Sequence, residues 1–529
     1  MTVNYYELLA QENSFSEIIA NRARQLGDAP AIIFKDRTYS YDELKKAAET
    51  LAASFLQLGI SRGDRIALIL PTAPEFLLSW LAASRIGACI VGLNVRYREN
   101  ELVYMINNAQ PATLICVNNF GGVDFSKLLT PLLPKLPSLK RFIFVGETDF
   151  PGAIPFVSLL ESAGEGKLTP LPETSSGEEN FIIYTSGSTG VPKGAVLTEK
   201  SILAMIRPWA KNIALRPEDR LLCFLPLNHV GGGTICALTT LFSGAALILH
   251  DVFSPAEALQ IATAQKATVM GGVPTVFALL LTIPGIDKLP LPEFRLLIYG
   301  GAAAPPELLK KMRETFRCAV MGCYGSTEVS GFCTYTSLGD GFEKILTTVG
   351  RAPEGVQLKI VDQNRNTVSP GKVGEVAVKG DLLFREYLGL PRETAEVLAD
   401  GWFYTGDLGY LDEEGYLTIV GRLKDMYITG GFNVYPLEIE NLLETHPGVA
   451  MASVLGVPDE IKGEVGVAAI VKKPGVALTE EEIKQFLSAQ LADYKVPSKI
   501  VFMDSLPMTP LGKINKPTIR QKLSAERLA

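Results

Sequence analysis

The sequence contains few of the residues that build metal centres and disulfide frameworks. Histidine occurs only three times, at His229, His250 and His446, so a histidine-based metal centre is not expected. The seven cysteines form an odd number and include no C-x-x-C pair. That usage favours buried, reduced thiols over disulfides or a zinc site. Fixed-period repeats and low-complexity tracts are lacking too, which excludes a solenoid or a disordered tail.

The chain also lacks a surplus of positive charge. It has 50 Lys and Arg residues against 57 Asp and Glu residues, a formal net charge of −7. A dedicated nucleic-acid binder, or a protein of anionic membrane surfaces, carries a basic surplus, so neither class is expected. The first residues show no basic stretch before an apolar run, which indicates no signal peptide and predicts a cytoplasmic protein.

Long hydrophobic runs are rare, and the most prominent one is Val230–Leu249. It carries no charged residue and is about as long as a membrane-spanning helix. However, it contains four glycines and four hydroxyl residues, and its end at Ala245–Leu249 has the pattern of a buried strand. We therefore predict no transmembrane segment and assign this run to the core of the protein.

Short apolar runs alternate with amphipathic segments, which predicts an α/β fold. Continuous apolar strands followed by helices are typical of parallel sheets covered on both faces. The predicted strands are Asp64–Leu70, Ala88–Leu93, Thr113–Val117, Phe142–Val145, Leu221–Leu225, Ala245–Leu249, Ala267–Met270 and Leu296–Tyr299. They are too many for one ordinary sheet, so we expect two doubly wound β/α layers in a large N-terminal domain.

The pattern of apolar and polar residues changes after about residue 350. Short alternating strands such as Gly374–Lys379 and Tyr416–Val420 predict a small β-rich subdomain. The last hundred residues predict a small α/β module, with a helix opening at Pro436, a strand near Met451–Val457 and a capping box from Thr479. A domain boundary is expected between residues 421 and 431.

The strongest chemical signal is Y-T-S-G-S-T-G-V-P-K-G at Tyr184–Gly194, directly after an apolar strand. Such a loop turns backbone N–H groups and hydroxyls toward phosphate oxygens, and Lys193 adds a charge. It is not a Walker A loop, because Pro192 and Gly194 occupy the positions of a glycine and of the magnesium-binding Ser or Thr. The alternative is a mobile surface loop.

This loop resembles the phosphate-binding signature of the adenylate-forming superfamily, which includes acyl-CoA synthetases, peptide-synthetase adenylation domains and beetle luciferases. Further motifs follow in the order of that superfamily. They are Y-G-G-A at Tyr299–Ala302, Y-G-S-T-E at Tyr324–Glu328, Y-T-G-D at Tyr404–Asp407, G-R-L-K-D at Gly421–Asp425, G-G-F-N-V-Y-P at Gly430–Pro436 and P-M-T-P-L-G-K at Pro507–Lys513. One motif alone is weak, whereas the ordered set makes chance agreement negligible.

The resemblance implies that ATP and Mg²⁺ bind to specific residues. The implied nucleotide site comprises Thr185, Ser186, Gly187, Ser188, Thr189, Gly190, Lys193, Gly301, Ala302, Tyr324, Gly325, Thr327, Asp407 and Arg422. Within it, Thr327 would contact the α-phosphate, and Asp407 with Arg422 would hold the ribose. Glu328 would hold Mg²⁺, a hard ion that prefers carboxylate and phosphate oxygens.

The resemblance also assigns catalytic, hinge and coenzyme A residues. Lys513 would bridge the incoming carboxylate and the α-phosphate in the transition state, and His229 would border the carboxylate; a satisfied core histidine is the alternative. Asp425 would be the hinge between an N-terminal AMP-binding domain, residues 1–424, and a mobile C-terminal domain, residues 425–529. Gly430 and Gly431 would line the pantetheine tunnel, for which an ordinary turn is the alternative.

The walls of the implied acyl pocket carry almost no charge. The pocket residues are His229, Val230, Gly231, Gly232, Gly300 and Gly301, and no charged residue occurs from Leu221 to Leu249. An amino-acid or dicarboxylic substrate would need a buried partner for its second charge, so we predict an apolar monocarboxylic acid. Asn228 replaces an aromatic residue of many relatives and Gly231–Gly233 replaces bulkier residues, so chain length and ring size stay open.

These observations predict an ATP-dependent acyl-CoA ligase acting on a medium-chain fatty, alicyclic or aromatic acid. An acyl-AMP ligase that loads a carrier protein and a luciferase-like oxygenase are the alternatives. We expect ATP, CoA and the acid as partners, no nucleic acid, and a homodimer. A G-x-S-x-G pattern at Gly59–Gly63 precedes a strand rather than following one, so a serine hydrolase is disfavoured.

Overall fold

The alternation of apolar strands and amphipathic helices builds two eight-stranded sheets. They are seen in a computed structural model that describes residues 5–161, 177–185, 191–290, 292–508 and 514–526. The elements of the first range are helices α1 Tyr5–Gln11, α2 Phe15–Leu26, α3 Tyr41–Gln57, α4 Pro74–Arg85, α5 Glu99–Ala109, α6 Phe125–Leu129 and α7 Phe156–Glu161, with strands β1 Pro30–Phe34, β2 Arg37–Ser40, β3 Arg65–Ile69, β4 Cys89–Leu93, β5 Thr113–Val117, β6 Asn119–Phe120, β7 Val123–Asp124, β8 Arg141–Val145 and β9 Ile154–Pro155.

The middle of the chain adds most of the remaining strands of both sheets. Its elements are strands β10 Glu179–Thr185, β11 Lys193–Thr198, β12 Arg220–Cys223, β13 Ala246–Leu249, β14 Val269–Gly272, β15 Leu296–Gly300, β16 Ala319–Tyr324 and β17 Thr334–Tyr335, with helices α8 Glu199–Asn212, α9 Thr239–Phe242, α10 Pro255–Ala264, α11 Pro274–Leu280, α12 Pro306–Phe316 and α13 Phe342–Thr347.

The rest of the chain forms two smaller sheets and contributes one strand, β20, to a large one. Its elements are strands β18 Gln357–Val361, β19 Gly374–Lys379, β20 Glu386–Tyr387, β21 Leu398–Ala399, β22 Trp402–Leu411, β23 Leu417–Arg422, β24 Tyr427–Thr429, β25 Phe432–Val434, β26 Val449–Asp459, β27 Gly463–Lys472 and β28 Lys499–Phe502, with helices α14 Pro391–Val397, α15 Pro436–Glu444, α16 Glu480–Ser488 and α17 Lys516–Glu526.

The two large sheets are mostly parallel, as predicted. One has the order β20-β11-β10-β4-β3-β5-β8-β9 and the other β17-β16-β15-β14-β12-β13-β1-β2. Strands β10, β4, β3, β5 and β8 pair in parallel, and so do β16, β15, β14, β12, β13 and β1. All five residues of β4 are buried, as a parallel strand covered on both faces requires. The two doubly wound layers are therefore confirmed.

The smaller sheets also follow the predicted pattern. β18, β19, β21, β22 and β23 pair antiparallel in the β-rich subdomain. The last sheet has the order β25-β24-β27-β26, with β28 parallel to β27. Thr479 caps α16 through the predicted box with Glu482.

The uncharged run Val230–Leu249 lies in the core. It forms a π-helix over Gly231–Leu238, then α9 and β13, and residues 232 to 249 are all buried. None of the helices in the described ranges combines the length with the hydropathy that a membrane span needs. All seven cysteines are free thiols, and six of them are buried. The assignment of the run to the core of the protein is confirmed.

A carboxylate is buried where α8 begins. Glu199 is 4% exposed, and its Oε1 accepts a hydrogen bond from the backbone N–H of Phe15, at the start of α2. Burial raises the pKa of Glu199 to about 7, from an ordinary value of 4.5. The folded protein therefore holds a proton there that the unfolded chain releases between these two values.

This carboxylate predicts a pH-dependent loss of stability. Below pH 4.5 Glu199 is protonated in both the folded and the unfolded state, so the raised pKa does not change stability there. As the pH rises toward 7, only the unfolded chain loses the proton, and the free energy of unfolding falls by about 3 kcal/mol in all. Glu199→Gln keeps the acceptor for Phe15 but cannot ionise. We expect the variant to gain about 2–3 kcal/mol over the wild type between pH 5 and pH 8, measured by denaturant unfolding. A difference that stays constant with pH would contradict this assignment.

Candidate active site

Four segments follow neighbouring parallel strands of one sheet, and two of them contain the predicted acyl-pocket residues. β16, β15, β14 and β12 lie side by side. The segments at or after their ends are Cys323–Cys333, Tyr299–Ala303, Gly271–Phe277 and Leu225–Gly233. Parallel strands carry their carboxyl ends to the same edge of a sheet, where ligands bind in open α/β folds. The topology therefore brings all four segments to one edge.

The predicted phosphate loop joins two strands of the other sheet. Thr185 ends β10, Lys193 begins β11, and the two residues pair in the antiparallel register. The hydroxyl of Tyr184 lies 2.7 Å from Asn108 Oδ1 and 2.9 Å from Met105 O, both of them acceptors, and these contacts fix the strand that enters the loop. The predicted phosphate ligands Ser186, Gly187, Ser188, Thr189 and Gly190 lie outside the described residues.

The Y-G-S-T-E motif turns sharply after β16. A Cβ on Gly325 would lie 2.0 Å from the carbonyl oxygen of Gly331, so only glycine fits this approach of two backbone segments. Thr327 is buried, 4% exposed, at the start of a 3-10 helix over Thr327–Val329. The buried Oγ of Ser326 has no hydrogen-bond partner among the described residues. A buried hydroxyl of this kind is a ready partner for a ligand oxygen.

Glu328 is held by a residue that the motifs did not indicate. The hydroxyl of Tyr387 donates to Glu328 Oε1 at 2.8 Å, and the Nζ of Lys193 lies 5.1 Å from the centroid of the same ring. Burial and the Glu328 carboxylate both raise the pKa of Tyr387, so its hydroxyl stays a donor. Since 59 residues separate Tyr387 from Glu328, no local spacing could have revealed the pair.

Asp407 lies between an arginine and a tyrosine. It pairs with Arg422 across β22 and β23, and Arg422 Nε approaches Asp407 Oδ1 at 3.1 Å. The Tyr324 hydroxyl donates to Asp407 Oδ2 at 2.7 Å. The Asp407 carboxylate raises the pKa of Arg422, and burial together with Asp407 raises that of Tyr324. Three predicted nucleotide residues from distant parts of the chain thus meet in one cluster.

His229 precedes the glycine-rich π-helix and contacts it. Its Nδ1 accepts a hydrogen bond from the backbone N–H of Gly231 at 3.1 Å, and Val230 behind it is buried. A Cβ on Gly232 would lie 2.4 Å from the carbonyl oxygens of both Leu225 and Pro226. These carbonyls explain the glycine at 232 by backbone packing, whatever its effect on a ligand.

The predicted adenine turn lies at the end of β15. Gly301 has a φ of +78°, a conformation that favours glycine, and it is exposed together with Ala302. A Cβ on Gly300 would lie 3.2 Å from the Cys323 carbonyl oxygen and from the Phe332 ring. The turn therefore presents backbone rather than side chains to its surroundings.

The predicted hinge closes a turn after β23. The backbone N–H of Asp425 donates to Arg422 O at 3.0 Å, and Lys516 Nζ lies 3.9 Å from Asp425 Oδ2 and 2.8 Å from Glu440 Oε1. Lys516 belongs to α17 and Glu440 to α15, so this lysine links the predicted hinge residue to both helices.

Gly430 and Gly431 form the two-residue turn between β24 and β25. Their φ values are +57° and +88°, and a Cβ on either residue would have open space around it. Two consecutive positive φ angles are typical of a tight hairpin turn, so the turn by itself accounts for both glycines. A role at coenzyme A stays a prediction.

Lys513 and the rest of the segment 509–513 lie outside the described residues, and the structure gives no position for the predicted catalytic lysine. The residues on either side of the segment pair with each other, since Met508 and Ile514 form an antiparallel bridge and Asn515 N–H donates to Pro507 O at 2.8 Å. The residues that flank the segment 509–513 are therefore held next to each other.

Two family models match the chain. One, described as AMP-binding enzyme, matches residues 19–388, and the other, described as AMP-binding enzyme C-terminal domain, matches residues 438–513. The first match covers the sheet edge and the pair formed by Glu328 and Tyr387, and the second covers β26, β27 and β28 of the C-terminal sheet. Asp407, Arg422 and Asp425 lie between the two matches.

Curated relatives and solved structures match this chain along nearly its whole length. A propanoyl:CoA ligase of Mycobacterium tuberculosis, whose acyl group carries a 7a-methyl-1,5-dioxo-octahydro-1H-inden-4-yl substituent, is 34% identical over 94% of this chain and 96% of its own. A medium-chain fatty-acid–CoA ligase of Escherichia coli is 34% identical over 96% of this chain and 90% of its own. The ATP-bound crystal structure of MatB from Rhodopseudomonas palustris is 31% identical, covers 96% of this chain and 98% of its own, and superposes with a TM-score of 0.86.

Proposed function

The chain belongs to the AMP-binding enzyme family, and from that membership we infer that it is an AMP-forming acyl-CoA ligase. Such an enzyme joins a carboxylic acid to the α-phosphate of ATP, which releases pyrophosphate. The CoA thiol then attacks the acyl carbonyl and displaces AMP. The near full-length agreement with named CoA ligases is the observation that carries this conclusion.

The geometry supports specific roles in the first step. Carboxylate and triphosphate are both anionic, so the site must supply cations and fixed donors. Lys193 at the exit of the phosphate loop and Arg422 beside Asp407 are such cations. We assign Asp407 to the ribose hydroxyls, because a carboxylate has acceptor positions to spare beyond the two that Tyr324 and Arg422 use.

The residues present also fit a magnesium ion bound with the nucleotide. Among the described residues, no group of three or more His, Cys, Asp or Glu could hold a metal ion. Mg²⁺ is usually bound by one or two carboxylates together with substrate phosphates, which suits a single Glu328. When bound, the ion would neutralise phosphate charge, and Glu328, held by Tyr387, would be its protein ligand.

The pocket walls favour an apolar monocarboxylic acid. The predicted pocket residues, His229–Gly232 with Gly300 and Gly301, include no Asp, Glu, Lys or Arg, so a second charge on the substrate would find no partner among them. The named relatives act on a bicyclic propanoyl group and on medium-chain fatty acids. We propose that the acid belongs to the medium-chain fatty, alicyclic or aromatic class.

A panel of carboxylic acids tests this function. Pyrophosphate release is measured with and without CoA for apolar monocarboxylic, dicarboxylic and amino acids. We expect CoA-stimulated release, with one AMP per CoA consumed, for at least one apolar acid and for none of the doubly charged ones. A chain that released pyrophosphate without any stimulation by CoA would not be a CoA ligase.

We further propose the domain division at residues 424 and 425, with Asp425 as the hinge between the two half-reactions. Proline at 425 removes the N–H that donates to Arg422 O and restricts residue 424. For Asp425→Pro we expect steady-state acyl-CoA formation to fall by about 10-fold or more, while one half-reaction keeps its single-turnover rate. Asp425→Ala, which keeps the backbone donor, is the matched control. Normal turnover in the proline variant would argue against this hinge.

A cytoplasmic location and a homodimeric state complete the proposal. Seven free cysteines, six of them buried, are consistent with a reducing compartment. Fractionation of cells tests the location, and light scattering on the purified protein tests the dimer. A monomer at micromolar concentration would contradict the latter.

A further inference from the structure

Tyr387 separates two residues of opposite charge in the proposed nucleotide site. Its hydroxyl donates to Glu328 Oε1 at 2.8 Å, and the face of its ring lies 5.1 Å from the ammonium of Lys193. Lys193 and Glu328 form no ion pair with each other in the described structure. One aromatic side chain thus holds the carboxylate with its edge and the cation with its face.

The position of Tyr387 is fixed by backbone pairing on both sides. Tyr387 pairs with Ala195 in β11, two residues beyond Lys193, and the N–H of Leu388 donates to Gly194 O at 2.8 Å. The N–H of Phe384 donates to the carbonyl oxygen of Glu328 at 2.8 Å. The strand β20 therefore connects the exit of the phosphate loop directly to the Y-G-S-T-E motif.

The separation matters because each charge has a different task in the proposed reaction. A direct Lys193–Glu328 ion pair would neutralise the cation meant for phosphate and the carboxylate meant for the metal. A ring face attracts an ammonium without cancelling its charge. A neutral hydroxyl that donates a hydrogen bond to one carboxylate oxygen leaves the negative charge in place and orients the other oxygen.

We propose that Tyr387 is a positioning residue that orients Glu328 for Mg²⁺ and keeps Lys193 available for the phosphates of ATP. This inference rests on the proposed function. The two parts of the Tyr387 side chain have different roles: the hydroxyl orients Glu328, and the ring contacts Lys193.

Two substitutions separate these parts. Tyr387→Phe removes only the hydroxyl, and we expect the Mg²⁺ concentration that half-saturates binding of the ATP analogue adenylyl imidodiphosphate to rise about 10-fold. Binding of the analogue without metal should stay within about twofold of the wild type. Tyr387→Leu removes the ring as well, so metal-free binding should also weaken, and the loss should shrink at high salt, which screens a new Lys193–Glu328 pair. Calorimetry measures both affinities.

The chain contains a matched control away from the site. The Tyr416 hydroxyl donates to Asp340 Oδ1 at 2.7 Å, and Lys344 Nζ lies 4.2 Å from its ring centroid. Tyr416 is 6% exposed, against 7% for Tyr387. Tyr416→Phe therefore removes a hydroxyl from the same kind of tyrosine–carboxylate pair, and it should leave the Mg²⁺ dependence unchanged.

The outcomes are distinguishable. An unchanged Mg²⁺ dependence in Tyr387→Phe, or the same change in Tyr416→Phe, overturns the role of Tyr387. Equal weakening of metal-free binding in Tyr387→Phe and Tyr387→Leu also overturns it, because the hydroxyl and ring would then act as one. Failure of the wild-type enzyme to form an adenylate from any acid would instead contradict the proposed function.

Discussion

Lys513→Ala is expected to slow adenylate formation by about 10²–10³-fold while leaving the transfer of a preformed acyl-adenylate to CoA nearly unchanged. The lysine is proposed to place one positive charge between two anions as they react, and removal of one such transition-state donor typically costs this much. The second step needs no charge at that place, because the thiol attacks a neutral carbonyl. The prediction therefore concerns the ratio of the two half-reactions.

Single-turnover measurements test this ratio. Pyrophosphate release from acid and ATP reports the first step, and CoA consumption from synthetic acyl-adenylate reports the second. Lys522→Ala is a suitable control, since Lys522 is an exposed lysine of α17, a short distance along the chain. Equal loss of both steps in Lys513→Ala would contradict the assignment and would indicate a damaged C-terminal region.

Asp407→Ala has the second largest expected effect. It removes the proposed acceptor of the ribose hydroxyls and leaves Arg422 without its carboxylate. Hydrogen bonds to a charged group contribute about 1.5–3 kcal/mol, so we expect the KM for ATP to rise by roughly 10–100-fold. The KM for the carboxylic acid should change little, because Asp407 contacts Tyr324 and Arg422, and neither of these is a predicted acyl-pocket residue.

The chain offers a control with the same chemistry. Asp340 also accepts from a tyrosine hydroxyl, that of Tyr416, and lies 3.9 Å from an arginine, Arg351. Asp340→Ala should cost comparable stability without raising the KM for ATP. A similar KM change in both variants would show that the loss at Asp407 is structural rather than a loss of nucleotide contact.

Most of the architecture could be predicted because the parallel strands have continuous apolar sequences. The predicted strand at Thr113–Val117 has its bounds unchanged in the structure, and the strand at Gly374–Lys379 is equally unchanged. Both are short and strongly patterned, which is the situation in which local sequence decides structure. The motifs likewise predicted the meeting of Tyr324, Asp407 and Arg422, whose geometry the structure supplies.

The remaining features depend on contacts that no local pattern contains. Tyr387 contacts a carboxylate 59 positions away through strand pairing, and the segment around it has no motif of its own. The π-helix at Gly231–Leu238 arises where a glycine run packs against the carbonyls of Leu225 and Pro226, and helix propensity alone would not predict it. From the sequence, those glycines could be interpreted only as the absence of bulkier side chains, and the backbone contact that requires glycine could not be predicted.

The same π-helix limits how the proposed acyl pocket can be redesigned. A methyl group at Gly232 would meet two carbonyl oxygens at 2.4 Å, and one at Gly233 would meet the Leu227 carbonyl oxygen at 2.7 Å, so neither position tolerates mutation. At Gly231 the nearest atoms would be 3.4 Å away, an ordinary contact. Of the three glycines, Gly231 is therefore the one where a library directed at the proposed acyl pocket meets no backbone clash.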